Sequence, residues 1–112
     1  MPALKTIIYP VKDLAQAKAF YGALLGADPV MDESYYVQFN TARQEVGLDP
    51  NGHQKGMTGP VGYWQVEDIN DSVAHLLAGG ATMQQAVSDV GGRLIASVTD
   101  LDGNLIGLIQ TS

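Results

Sequence analysis

The chain has 112 residues, 46% of them hydrophobic and 16% charged, which is enough for one domain with its own core. Twelve acidic residues against six basic ones give a net charge of −6, a surface that repels phosphate backbones, so no nucleic-acid partner is expected. Cysteine is absent, which excludes disulfides, thiolate metal sites and thiol nucleophiles; no run nears the roughly 18 apolar residues of a membrane span and "MPALKTIIYPVKD" lacks a signal-peptide pattern, so no membrane partner and a cytoplasmic location are expected.

A first strand is expected over residues 4–10, rich in Ile, Tyr and Val. Asp13 then stands as the N-cap of a helix whose apolar stripe is Leu14, Ala17, Tyr21, Leu24 and Leu25, with Gly26 as its stop. Three strands follow, at about 28–32, 34–40 and 43–49, and "DPNG" closes the half. Residues 51–59, "NGHQKGMTG", read as a linker. A second strand–helix pair begins at 60–66, with Asp68 and Asp71 at the helix start, Ile69, Val73, Leu76 and Gly80 on one face, and Gly79-Gly80 at its end. Strands at 81–86, 92–100 and 104–110 complete it, separated by "VGG" and "DGN".

The two halves are one pattern used twice. Val11, Asp13 and Leu14 match Val66, Asp68 and Ile69 at a spacing of 55, and Gly26-Ala27 matches Gly80-Ala81 at 54. "VGLD" (Val46 to Asp49) matches "IGLI" (Ile106 to Ile109) at 60. The expected organisation is therefore a single domain over 1–112, with modules at 4–50 and 60–110, each ordered βαβββ.

Paired βαβββ modules, with "V-x-D-L" leading into a helix that carries "FY" and "LGA", resemble the vicinal oxygen chelate superfamily. That group holds glyoxalases, bleomycin-resistance proteins and extradiol dioxygenases. The closing "DLDGNLIGLIQ" is similar to the family's last turn and strand. The resemblance covers residues 4–110 and implies an α+β fold: an eight-stranded curved sheet forming a cup, helices on its convex face, and a homodimer. It also implies four metal-ligand positions, His- or Gln-type on each module's first strand and Glu on each last strand. They fall here on Thr6, Gly47, Val61 and Gly107. Threonine, valine and two glycines do not supply the imidazole and carboxylate that a catalytic divalent ion takes, so no metal and no other cofactor is expected. Glycine at 47 and 107 is also read as opening space at the bottom of the cup.

Strand alternation nominates the remaining cup-lining residues. Ile8 shares a face with Thr6, and Tyr63 and Gln65 share one with Val61; Trp64 and Val66 then face the helices, with Trp64 as core. Glu45 and Asp49 flank Gly47 and would make an acid pair, although Asp49 beside Pro50 is expected to point into water. Gln38 is a polar residue within an apolar strand. Arg93 follows "VGG" at the mouth, set to clamp an anion or to pair with a neighbouring acid such as Asp89. His53 and His75 are expected at the surface, and "DLDGN" fails as a calcium loop because its glycine falls two residues early.

The expected function is metal-free binding of a small apolar or aromatic molecule in the cup, as in the drug-resistance branch that the chain resembles. A metal-dependent lyase or dioxygenase is the alternative the fold alone would suggest, and a metal-free isomerase or epimerase with Glu45 or Tyr63 as base is another. In a further reading the cup is vestigial and the protein acts through an interface.

Overall fold

The computed structural model describes residues 2–111. Its eight strands and two helices occur in the order β1 (Ala3–Pro10), α1 (Leu14–Leu25), β2 (Met31–Glu33), β3 (Tyr36–Asn40), β4 (Glu45–Asp49), β5 (Val61–Gln65), α2 (Ile69–Ala78), β6 (Thr82–Val90), β7 (Arg93–Thr99) and β8 (Leu105–Thr111). This is the α+β class, with the βαβββ order occurring twice. The contacts group into two compact units, one over Thr6–Val61 and one from Gly62 onward that takes in β1 through Lys5.

In the first unit the strand order is β2-β3-β4-β1, with β1 parallel to β4 and the other pairs antiparallel. Alternation sends Val37, Phe39, Val46 and Leu48 to one side, where Leu14, Ala17, Tyr21 and Leu25 of α1 cover them. Leu24 departs from the expected stripe. It is 68% exposed and, with Phe20 at 65%, forms an apolar ridge on the outer side of α1. Burial, and secondarily the neighbouring Tyr9 phenol, raises the Tyr21 pKa above the usual phenol value. The two rings stand 4.9 Å apart. Asp13 accepts from Gln16 N at 3.0 Å as the N-cap, and Gly26 adopts φ 62° at the C-cap, where a side chain would be strained.

The second unit repeats the plan in the order β5-β8-β7-β6, with β5 parallel to β8. Its core is Val66, Ile69, Val73, Ala96 and Leu108, packed under α2. That helix starts doubly satisfied: Asp68 accepts from Asp71 N at 3.1 Å, and Gln110 of β8 accepts from Ile69 N at 2.8 Å. Strand β6 runs four residues past its expected end, through two register shifts to a two-residue hairpin. Gly91 and Gly92 both have positive φ there, as a type I′ turn demands. At the last turn Asp100 accepts from the Asn104 side chain and from the N–H groups of Asn104 and Asp102. Those hydrogen bonds, Asn104's side chain first, hold its carboxyl below the usual carboxylate range.

Three expectations change. Trp64 does face the helix side, opposite Leu108 in register, but it is 41% exposed and outside the core cluster. Strand β2 is shorter than expected: Pro29 cannot donate to the ladder, the first backbone hydrogen bond to β3 is from Val30 N to Gln38 O at 2.8 Å, and the paired strand starts at Met31. The third concerns the acid before the linker. Asp49, expected in water, is 6% exposed; it accepts from Asn51 N at 2.8 Å and pairs with Lys55 Nζ at 2.8 Å.

Candidate functional site

Each unit has a sheet face turned away from its helix, and the nominated residues fall on these faces. In the first unit, register places Thr6 opposite Glu45, and Ile8 and Gln38 on either side of Gly47. Thr6 is buried, and its hydroxyl donates to Glu45 Oε1 at 2.7 Å. Along β3 the alternate residues form a ladder: Tyr36 Oη donates to Gln38 Oε1 at 3.2 Å, and Gln38 Nε2 donates to Asn40 Oδ1 at 3.0 Å. Tyr36, Gln38 and Glu45 are half-buried, so each presents part of its surface. Asp49 does not join Glu45 as an acid pair, since both its oxygens are committed to the turn that follows β4.

Glycine at position 47 leaves no hole. A Cβ built there would lie 2.7 Å from Cε1 and Cζ of Tyr36 and closer still to its hydroxyl. The ring of Tyr36 fills the space that the sequence leaves open.

The second unit does the same with a different tyrosine. Tyr63 stands opposite Gly107 in register, and a Cβ on Gly107 would lie 2.5–2.7 Å from Cδ2, Cγ and Cε2 of its ring. Tyr63 is 7% exposed and Ser97, on the other side of Gly107, is 1% exposed with its hydroxyl donating to Gln84 Oε1. Toward the end of the same face, Gln65 Nε2 donates to Thr111 Oγ1 at 2.8 Å. Among the described residues Gln65 Oε1 is buried and has no hydrogen-bond partner. Arg93 is half-buried and opposite Thr111 in register, which puts its side chain on this face as well. Val61 is 3% exposed.

Sequence reasoning missed Tyr36, Asn40, Ser97, Gln84 and Thr111. The signal for Tyr36 was available: it precedes Gln38 by two residues, so alternation puts both on one face. What alternation cannot show is that the ring leans over the glycine of the next strand.

A family model described as "Glyoxalase/Bleomycin resistance protein/Dioxygenase superfamily" matches residues 3–108. The chain belongs to this superfamily. No curated protein matches it. Among solved structures, a superfamily member from Vibrio splendidus 12B01 is 16% identical with a TM-score of 0.75, covering 98% of this chain and 99% of that one. Methylmalonyl-CoA epimerase from Mycobacterium tuberculosis is 18% identical, with a TM-score of 0.71 and coverage of 97% and 87%. The Mn(II)-bound glyoxalase from Novosphingobium aromaticivorans is 19% identical with a TM-score of 0.71, covering 96% of this chain and 38% of that one. At such identities the likeness is one of fold.

The residues at the four positions where the family resemblance implies metal ligands do not have the chemistry to hold a metal ion. Thr6 has its hydroxyl directed at Glu45, Val61 has no donor atom, and Gly47 and Gly107 have no side chain and lie against tyrosine rings. Among the described residues no three His, Cys, Asp or Glu side chains come together as a ligand set. His75 is 81% exposed at 3.9 Å from Asp71, and His53 lies in the turn after β4, away from both faces.

Proposed function

We propose that this chain is a metal-independent member of the superfamily that binds a small, largely apolar or aromatic molecule carrying hydrogen-bonding groups. The observation that supports the reading is the pair of glycine–tyrosine contacts. At Gly47 and Gly107, where the family resemblance implies the metal enzymes' carboxylates, an aromatic ring lies against the glycine. In the first unit Thr6, Gly47 and Val61 then serve as a closed floor beside half-buried Tyr36, Gln38 and Glu45; in the second, Tyr63 and Gly107 form the floor beside half-buried Gln65 and Arg93. A ring, an amide and a carboxylate on the first face, and an amide and a guanidinium on the second, each suit recognition of a polar-tipped apolar molecule, and sequestration needs no further chemistry.

Thermal-shift screening of purified protein tests this. A ligand at 100 times its Kd adds about 2.7 kcal/mol, and the shift should shrink in Tyr36→Ala. No shift with any compound at millimolar concentration, or stoichiometric zinc, nickel, manganese or iron in untagged protein, would defeat the proposal.

One observation favours a second reading. Glu45 is half-buried with one oxygen held by Thr6, the geometry of a positioned base, and epimerases share the fold. Turnover of an epimerisable substrate that Glu45→Gln abolishes, with binding retained, would select it. The proposal takes the protein as a cytoplasmic homodimer: the family resemblance implies a dimer, and no described helix is long and apolar enough to cross a membrane. Sedimentation of the purified protein checks the dimer.

A further inference from the structure

The helix side of the first unit carries a groove that belongs to neither of these faces. It has a volume of about 540 Å³, within the range of small-molecule sites, and lies between the first two turns of α1 and the turn after β4. Its lining includes Val11, Lys12, Gln16, Ala17 and Phe20 from the start of α1 and the residues before it, and His53 from the turn after β4.

Three features make it more than a surface crease. Phe20 is 65% exposed, held edge-on to Tyr21 at 5.2 Å, so its free face is apolar surface left to water. Lys12 and His53 have no side-chain partner among the described residues, whereas Lys18 and Lys55 are spent on Asp32 and Asp49. The wall that carries His53 is preorganised. Buried Asp49 ties Asn51 N and Lys55 Nζ, Met57 N donates to Gly52 O at 3.0 Å, and Gly52 sits so close to Pro10 that a Cβ would lie 2.7 Å away. A ligand entering here would therefore order little of the chain. Asp13 also borders the groove, but its carboxylate faces Gln16 N at the helix start, where the helix dipole offsets its charge.

The geometry points to a second, independent binding site for a small aromatic monocarboxylate. The ring stacks on Phe20; the carboxylate accepts from the Lys12 ammonium and the His53 ring N–H. Against the net negative charge of the chain, the Lys12 ammonium supplies the local positive charge that an anion needs here.

Benzoate titration followed by amide NMR tests it, with benzamide and acetate as probes that lack the charge or the ring. Benzoate should shift the amides of Lys12, Gln16, Phe20 and His53 with the millimolar affinity of a nine-heavy-atom fragment, about three-fold tighter than either probe. Lys12→Gln should cost benzoate that same factor of about three and leave benzamide unchanged, since one exposed ion pair supplies no more. Phe20→Ser should weaken benzoate and benzamide alike. Both side chains are exposed, so neither variant should lower the melting temperature. Equal affinity of Lys12→Gln for benzoate overturns the site, as do shifts spread over residues outside the groove. Tyr36→Ala should leave benzoate binding intact; loss of binding there puts the ligand on the sheet face and overturns the groove, independently of what the sheet face itself binds.

Discussion

The glycine at 107 should be intolerant of a single methyl group. Its φ is not among the positive ones, so the backbone does not ask for glycine, and in an extended strand alanine would gain about 0.5–1 kcal/mol from the unfolded chain. Against this, the new Cβ would stand 2.5 Å from Cδ2 and 2.6 Å from Cγ of Tyr63. Those atoms lie at the base of the ring, two and three bonds from the Cα of a strand that is itself paired with the strand of Gly107, so the ring has little room to swing clear. Overpacking of this kind costs about 1–3 kcal/mol. The net expectation for Gly107→Ala is a loss of about 1–2 kcal/mol, or roughly 4–8 °C in a domain of this size.

Gly47→Ala should cost less. The close atoms of Tyr36 are at the far end of a half-buried ring that can rotate away, giving up its hydrogen bond to Gln38 at about 1 kcal/mol. Urea denaturation of Gly107→Ala, Tyr63→Ala and the double variant separates the clash from the general cost of truncating Tyr63. The double variant should be more stable than the sum of the singles predicts, by about 1–2 kcal/mol. A Gly107→Ala protein as stable as the parent, with Tyr63 in place and an unchanged m-value, would refute the packing argument.

Asp49→Asn should destabilise by about 1–3 kcal/mol, because it removes the charge that faces Lys55, and amide exchange should accelerate over residues 51–57. Gln110→Ala strips Ile69 N of its acceptor at the start of α2 and should cost about 1 kcal/mol in chemical denaturation. Asp100 has a folded pKa below its unfolded value, so its contribution is present above the unfolded value near 3.8 and disappears as pH falls through the lower folded one. The stability gap between the parent and Asp100→Asn should accordingly be flat at neutral pH and close in that acid window; a gap that persists below it would show that the carboxylate's hydrogen bonds are not its source.

Much of the fold was legible because it rests on periodicity and caps. Asp13, Asp68 and Gly26 do in the structure what their residue types announce, and Val37, Phe39, Val46 and Leu48 alternate as a half-buried strand pair must. The failures have a common cause: they concern what a residue meets across the chain, which no local pattern carries. Leu24 lies on the margin of the helical stripe, and the sheet residues pack against Leu14, Ala17, Tyr21 and Leu25 and leave it in water. Asp49 reads as a strand-end acid until Lys55, six residues on, folds back over it. Trp64 takes the expected face, but α2 packs along Val66 and Leu108 and leaves its ring partly open.

The two glycines show where such reading goes furthest wrong. A deleted side chain looks like vacant volume when the strand is considered alone, yet a folded interior is packed near crystal density, and a neighbour takes the room. Here that neighbour is a tyrosine in each unit, from β3 over Gly47 and from β5 over Gly107. The absence of a side chain at each glycine and the presence of the ring beside it are thus one structural fact. Putting glutamate back at 47 or 107 would first have to evict an aromatic ring, and at 107 a ring that is 7% exposed and fixed by its own strand. What these faces present beside the two glycines is accordingly tyrosine and amide groups, the surface that the proposed ligand would have to stack on and hydrogen-bond.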